Sequence, residues 1–155
     1  MDIGSPTMAI QGPITNDPVS AYNAVRDGSL KYAMYHYCPE SDKIAVKETG
    51  LPNPDAGEER AWETFLDRLK SDECRYIVYD FVYQGIQEGK EVVKRKLLFI
   101  LWAPDGAHVR EKMNLSSHGK RFRETLGHFD DELHTTEKER IRYPEVVKRL
   151  EREVK

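Results

Sequence analysis

With 39% hydrophobic and 33% charged residues among 155, the chain is too apolar for intrinsic disorder and long enough to bury roughly two-thirds of its unfolded surface. Its net charge of −3 argues against general nucleic-acid binding, which needs a strongly basic face, so any cationic site must be local. No apolar run approaches the roughly 20 residues of a membrane span and no secretory signal opens the sequence, so a cytoplasmic protein without membrane insertion is expected. Residues 1–7 read as an appended remnant or disordered tail, and residues 8–155 as a single domain.

Asp17 is placed to cap a first helix with Pro18 at its first position, followed by Val19, Tyr22 and Val25 on one face and ended by Gly28. Leu30 to Cys38 alternates and is rich in aromatics, which predicts a strand; Pro39 to Asp42 is its turn and Lys43 to Glu48 its hairpin partner. Gly50 to Gly57 reads as a loop. Glu58 to Leu69 reads as a second helix with Trp62, Phe65, Leu66 and Leu69 inward. The near-continuous apolar runs Arg75–Tyr83 and Val92–Trp102 predict two central strands buried on both faces, joined by a polar hairpin loop at Gln84–Glu91. Gly106 to about Leu126 reads as a long third helix, kinked or frayed near Gly119 because glycine costs about 1 kcal/mol there relative to alanine. A short strand is expected over Phe129–Thr135. Pro144 opens a last helix with Val146, Val147 and Leu150 inward and Lys148, Arg149 and Arg152 outward. The order implies an α/β (α+β mixed) fold, a mixed sheet covered by helices on both faces.

Little in the sequence calls for catalysis, a metal or a cofactor. The five histidines form no i, i+4 pair, and none stands beside a cysteine at zinc-ligand spacing. No glycine-rich phosphate loop follows a strand, and Ser116-Ser117 lie mid-helix rather than on a nucleophile elbow. Cys38 and Cys74 fit reduced, buried thiols better than a disulfide. The cations are more informative. Arg110 and Lys112 fall near a helix start, where the macrodipole disfavours them, and are read as lying on its exposed side. Lys94-Arg95-Lys96 place like charges side by side at the start of a strand. Such costs are tolerated where a partner supplies the opposite charge.

Several segments resemble the actin-depolymerising factor/cofilin family over about Gly12 to Arg152. They are D-E-C-R-Y-I-V-Y-D (Asp72–Asp80), F-I-L-W (Phe99–Trp102) and W-A-P-D-G-A-H-V-R-E-K-M (Trp102–Met113), with weaker support from A-Y-N (Ala21–Asn23) and V-K-E-T (Val46–Thr49). The resemblance implies an ADF-homology fold with a sheet of five or six strands, no enzymatic activity, and binding of a monomeric protein to actin monomers and filaments. It places the monomer-and-filament contact on Ile10, Gln11, Gly12, Arg110, Lys112, Met113 and Arg123. The filament contact falls on Lys94, Lys96, Arg149 and Arg152, with the Gln84–Glu91 loop as a projection. Severing and depolymerisation of the actin cytoskeleton would follow. Alternatives are a coactosin- or glia-maturation-factor-like protein that binds filaments or branch junctions without depolymerising them, and a phosphoinositide-binding module using the same cations.

The chain departs from the family pattern in places. Gln11 stands where phosphorylation-regulated members carry serine, Glu124 follows Arg123 where a second basic residue is expected, Gly119 interrupts the long helix, and Lys148 replaces an acid.

Overall fold

The computed structural model describes residues 17–152. In chain order these form α1 (Pro18–Arg26), β1 (Tyr32–Cys38), β2 (Lys43–Gly50), α2 (Glu58–Leu66), β3 (Arg75–Gln87), β4 (Lys90–Trp102), α3 (Val109–Leu126), β5 (Asp131–Thr135) and α4 (Tyr143–Arg152), the last preceded by a 3-10 turn at Lys138–Ile141. One five-stranded sheet runs in the order β2-β1-β3-β4-β5. Its first four strands are antiparallel, and β5 lies parallel to β4 after the α3 crossover.

Period-two alternation along β3 and β4 sorts their side chains into two cores. Tyr76, Val78, Phe99 and Leu101 face α1 and α3, where Tyr22, Val25, Leu115 and Phe122 meet them. Ile77, Tyr79, Phe81, Leu98 and Ile100 face α2 and α4, against Trp62, Phe65, Leu66, Val146 and Leu150. Burial on both faces explains the unbroken apolar runs. Aromatic polar tips inside the cores are satisfied: the Tyr76 hydroxyl donates to the Leu115 carbonyl at 2.6 Å, and Trp62 Nε1 donates to the Ile141 carbonyl at 2.7 Å.

Most expected elements are present, with informative differences. Asp17 caps α1, its carboxylate accepting from the Ser20 amide at 3.1 Å. The expected loop at Gln84–Glu91 is instead strand: β3 and β4 pair as far as Gln87↔Lys90, closed by Glu88 and Gly89 alone. Both turn residues have positive φ (53° and 78°), the two-residue geometry whose twist matches that of a β-ribbon. The expected kink at Gly119 is absent, because α3 is continuous and Gly119 is buried in it. A Cβ there would stand 3.2 Å from Leu101 Cδ2 and 3.6 Å from Tyr76 Cε1, so the glycine lets the helix approach the sheet closely. β2 continues to Gly50, whose missing side chain makes room for the Tyr32 ring.

Candidate functional site

The site begins with the turn that launches α3. A Cβ on Gly106 would lie 2.4 Å from the Ser71 carbonyl oxygen, so the Ala103-Pro104-Asp105-Gly106 turn is fitted against the loop before β3. His108 caps the helix, its Nδ1 accepting from the Arg110 amide at 3.1 Å. Leu115, Gly119, Phe122 and Leu126 then form the inward stripe. At about 100° per residue, Val109, Met113, Ser117, Lys120 and Glu124 fall on the opposite side. Val109 and Met113 are each 64% exposed, an apolar pair one turn apart that no intramolecular packing accounts for.

Arg110 and Lys112 flank this pair from opposite edges, about 160° apart around the axis. Sequence reading had put both on the exposed side. Arg110 is exposed and its guanidinium meets no partner among the described residues. Lys112 is half-buried, with Nζ 3.3 Å from the Asp105 carbonyl oxygen. Arg123 lies further along, half-buried, ion-paired with Glu132 and 5.7 Å over the Phe129 ring. Ile10, Gln11 and Gly12 lie outside the described residues.

The Glu132 carboxylate also takes a hydrogen bond from His134. Burial pushes its pKa up, but the bonds from His134 and Arg123 outweigh this and hold it below the usual glutamate range. Glu48 is lowered similarly, its burial outweighed by Arg68, which donates twice at 2.8 and 2.9 Å, and by the Tyr32 hydroxyl. A carboxylate depressed in the folded state stabilises it above its unfolded pKa, and that contribution is lost as pH falls through the folded value. Urea melts should therefore show stability falling below about pH 4. The fall should be shallower in the Glu48→Gln, Glu132→Gln variant; an identical slope would show that these groups do not carry it.

The second predicted set divides. Lys94 and Lys96 share one side of β4, as residues two apart must. The Lys94 side chain is only 13% exposed: Nζ donates to Glu151 Oε2 and to the Ile86 carbonyl, each at 2.9 Å. Glu151 also accepts from the Ile86 amide at 2.8 Å and the Tyr83 hydroxyl at 3.1 Å, so the end of α4 is tied to the ribbon through one carboxylate. Lys96 is half-buried without a partner among the described residues. Arg149 is held by Asp131 at 2.7 and 3.2 Å, whereas Arg152 is exposed on the same face of α4. Arg95, which the sequence did not single out, turns to the other side of β4. It pairs with Asp80 at 2.6 Å and donates to the carbonyls of Val25 and Arg26 at the end of α1.

The sequence singled out Met113 but not the other exposed apolar residues of these surfaces. Val109 is out of phase with the buried stripe of its helix, which was the available signal. Ile86 (52% exposed) and Val93 (68%) lie on the ribbon and became visible only once it was known to be strand. Both cysteines are free thiols, and burial pushes that of Cys74 up to about 11. Among the described residues no group of three His, Cys, Asp or Glu is placed to hold a metal, and no helix is long and apolar enough to cross a membrane.

A sheet covered on both faces thus presents one long helix whose first exposed turns carry an apolar pair, Val109 and Met113, between Arg110 and Lys112. Residues 13–151 match the family described as cofilin/tropomyosin-type actin-binding protein. The chain is 32% identical to cofilin of Yarrowia lipolytica over 94% of its own length and 91% of that protein's. It is similar in structure to Streptomyces griseoflavus cofilin, with a TM-score of 0.72 at 30% identity, covering 87% of this chain and 93% of that one. Human coactosin-like protein, at a TM-score of 0.67 and 14% identity over 87% of this chain and 93% of that one, shares the fold alone. The protein belongs to the cofilin/actin-depolymerising factor family.

Proposed function

We propose that the protein binds actin monomers and the sides of actin filaments, and promotes filament severing and depolymerisation without catalysing a reaction. The observation that carries this reading is the exposed Val109–Met113 pair flanked by Arg110 and Lys112, on a rigid helix of a family member. The apolar pair supplies area to bury, and the cations supply orientation and steering. The protein acts as a monomer: its affinity for a strained filament state exceeds that for the relaxed one, which shifts the filament towards breakage. Residues 10–12 would extend the contact from the tail. The Arg110 and Lys112 cations also suit phosphoinositide head groups, which would then compete with actin. Co-sedimentation with filamentous actin, together with the rate of filament loss after dilution, tests the reading. Binding with accelerated loss is expected; binding without it would favour the coactosin-like alternative, and no binding would overturn the reading.

Filament sides would be met by a second surface made of the ribbon, Lys96, Arg149 and Arg152, with Lys94 acting mainly as an internal strut. Lys96→Ala should therefore weaken filament binding about two- to fivefold, the worth of one exposed ion pair. Glu151→Ala should weaken it as well, by releasing the ribbon from α4, although it removes a negative charge. Monomer binding should stay unchanged in both. Equal losses for monomer and filament would show that the two surfaces are not separate.

A further inference from the structure

Beside Arg110 the surface sinks into a cleft of about 290 Å³ between the turn after β1 and the first two turns of α3. Cys74 and Leu115 form its floor, Tyr37 and Pro39 one wall, and Arg110 and Asn114 part of the other. Its volume sits at the lower edge of the roughly 300–1,000 Å³ typical of small-molecule pockets, ample room for one inserted side chain. The Tyr37 wall is preformed: its ring stacks on His118 at 4.5 Å and 18°, and its hydroxyl donates to Asp42. Arg110 belongs both to the lip of this cleft and to the edge of the Val109–Met113 stripe.

Resting on the actin-binding reading above, we infer that this cleft receives an apolar side chain of actin that lies next to a carboxylate. A partner surface that covers Val109 and Met113 overhangs the cleft, since Asn114 follows Met113 directly and sits one turn beyond Arg110. An apolar side chain filling it gains contacts with Tyr37, Pro39 and Leu115, and a rigid receptacle costs little ordering. The guanidinium of Arg110, free of partners among the described residues, stands at the lip to meet the adjoining carboxylate. Chain flanking the turn after β1, which no cationic motif marks, thereby becomes part of the docking surface.

Filling the cleft from either wall tests this without touching Arg110, Lys112 or Met113. Asn114→Trp fills it from the helix, and Pro39→Trp closes it from an exposed turn that bears on no core. Each should weaken binding to monomeric actin about tenfold, the loss of one well-packed anchor, with an unchanged circular dichroism spectrum. Asn114→Ala and Pro39→Ala leave the space open and should weaken binding much less than their tryptophan counterparts. Original affinity in either folded tryptophan variant, or equal loss in the alanine variants, overturns the receptacle and leaves the cleft to another occupant. If Asn114→Trp does not fold, Pro39→Trp decides alone. Failure of the unaltered chain to bind actin would instead overturn the functional reading, and this inference with it.

Discussion

Reversing both helix cations, Arg110→Glu with Lys112→Glu, should reduce binding to actin monomers and filaments by at least about a hundredfold while the far-ultraviolet circular dichroism stays native. The fold should tolerate it because Arg110 pairs with nothing among the described residues and Lys112 gives up one long contact with the Asp105 carbonyl oxygen. Acidic residues in the first turn of a helix also interact favourably with its dipole, so α3 gains slightly from the change. Binding should respond oppositely. Two attractive contacts on either side of the apolar stripe become repulsive, and like charges brought together across an interface cost several kcal/mol. Monomer affinity and co-sedimentation measure the effect. A doubly reversed chain that binds as before would remove α3 as the site.

The largest loss of stability should come from Trp62→Ala. Trp62 is 0% exposed, with Tyr79 edge-on at 4.6 Å and Phe81 at 5.0 Å, and its indole N–H serves the Ile141 carbonyl. Truncation opens a cavity and leaves that carbonyl without its donor, for a cost of about 3–5 kcal/mol. In a domain of this size that lowers the melting temperature by about 10 °C. Because Trp62 packs α2 onto the sheet face opposite α3, the folded fraction should still bind actin monomers normally. A loss below about 1 kcal/mol in urea melts would mean that the cluster repacks around the gap.

Features governed by local chemistry were legible in the sequence. The Asp17–Pro18 start of α1, the apolar face of α2 and the paired central strands all rest on residues within a few positions of one another. Features governed by distant packing were not. Read along the chain, Gly119 predicts a break in the helix, but its role is set by Leu101 and Tyr76 across the core. Glu88-Gly89 is a weak hairpin signal, so a ribbon looked like a loop. Lys94 and Arg95 look alike in sequence, yet strand alternation sends one to Glu151 and the other to Asp80 and the end of α1. Of the site, Arg110, Lys112 and Met113 were readable from the motif around Trp102–Met113. Val109 was readable only from its phase against Leu115, Phe122 and Leu126, and the cleft at Tyr37 was not, because it depends on how the turn after β1 sits against α3.

The parallel pairing of β5 with β4 bears on how the molecule assembles and opens. β1 with β2, and β3 with β4, are hairpins whose partners are close in the chain, but β5 reaches β4 only after α3 has crossed the sheet. β5 is also an edge strand, paired on one side alone, so the α3–β5 unit is expected to open before the central strands β3 and β4. The helix proposed to meet actin thus belongs to a less protected part of the fold than the sheet centre. A partner that clamps it stabilises this segment by mass action, so slowed amide hydrogen exchange on binding should be concentrated in α3 and β5, with the centre of β3 already protected in the free protein.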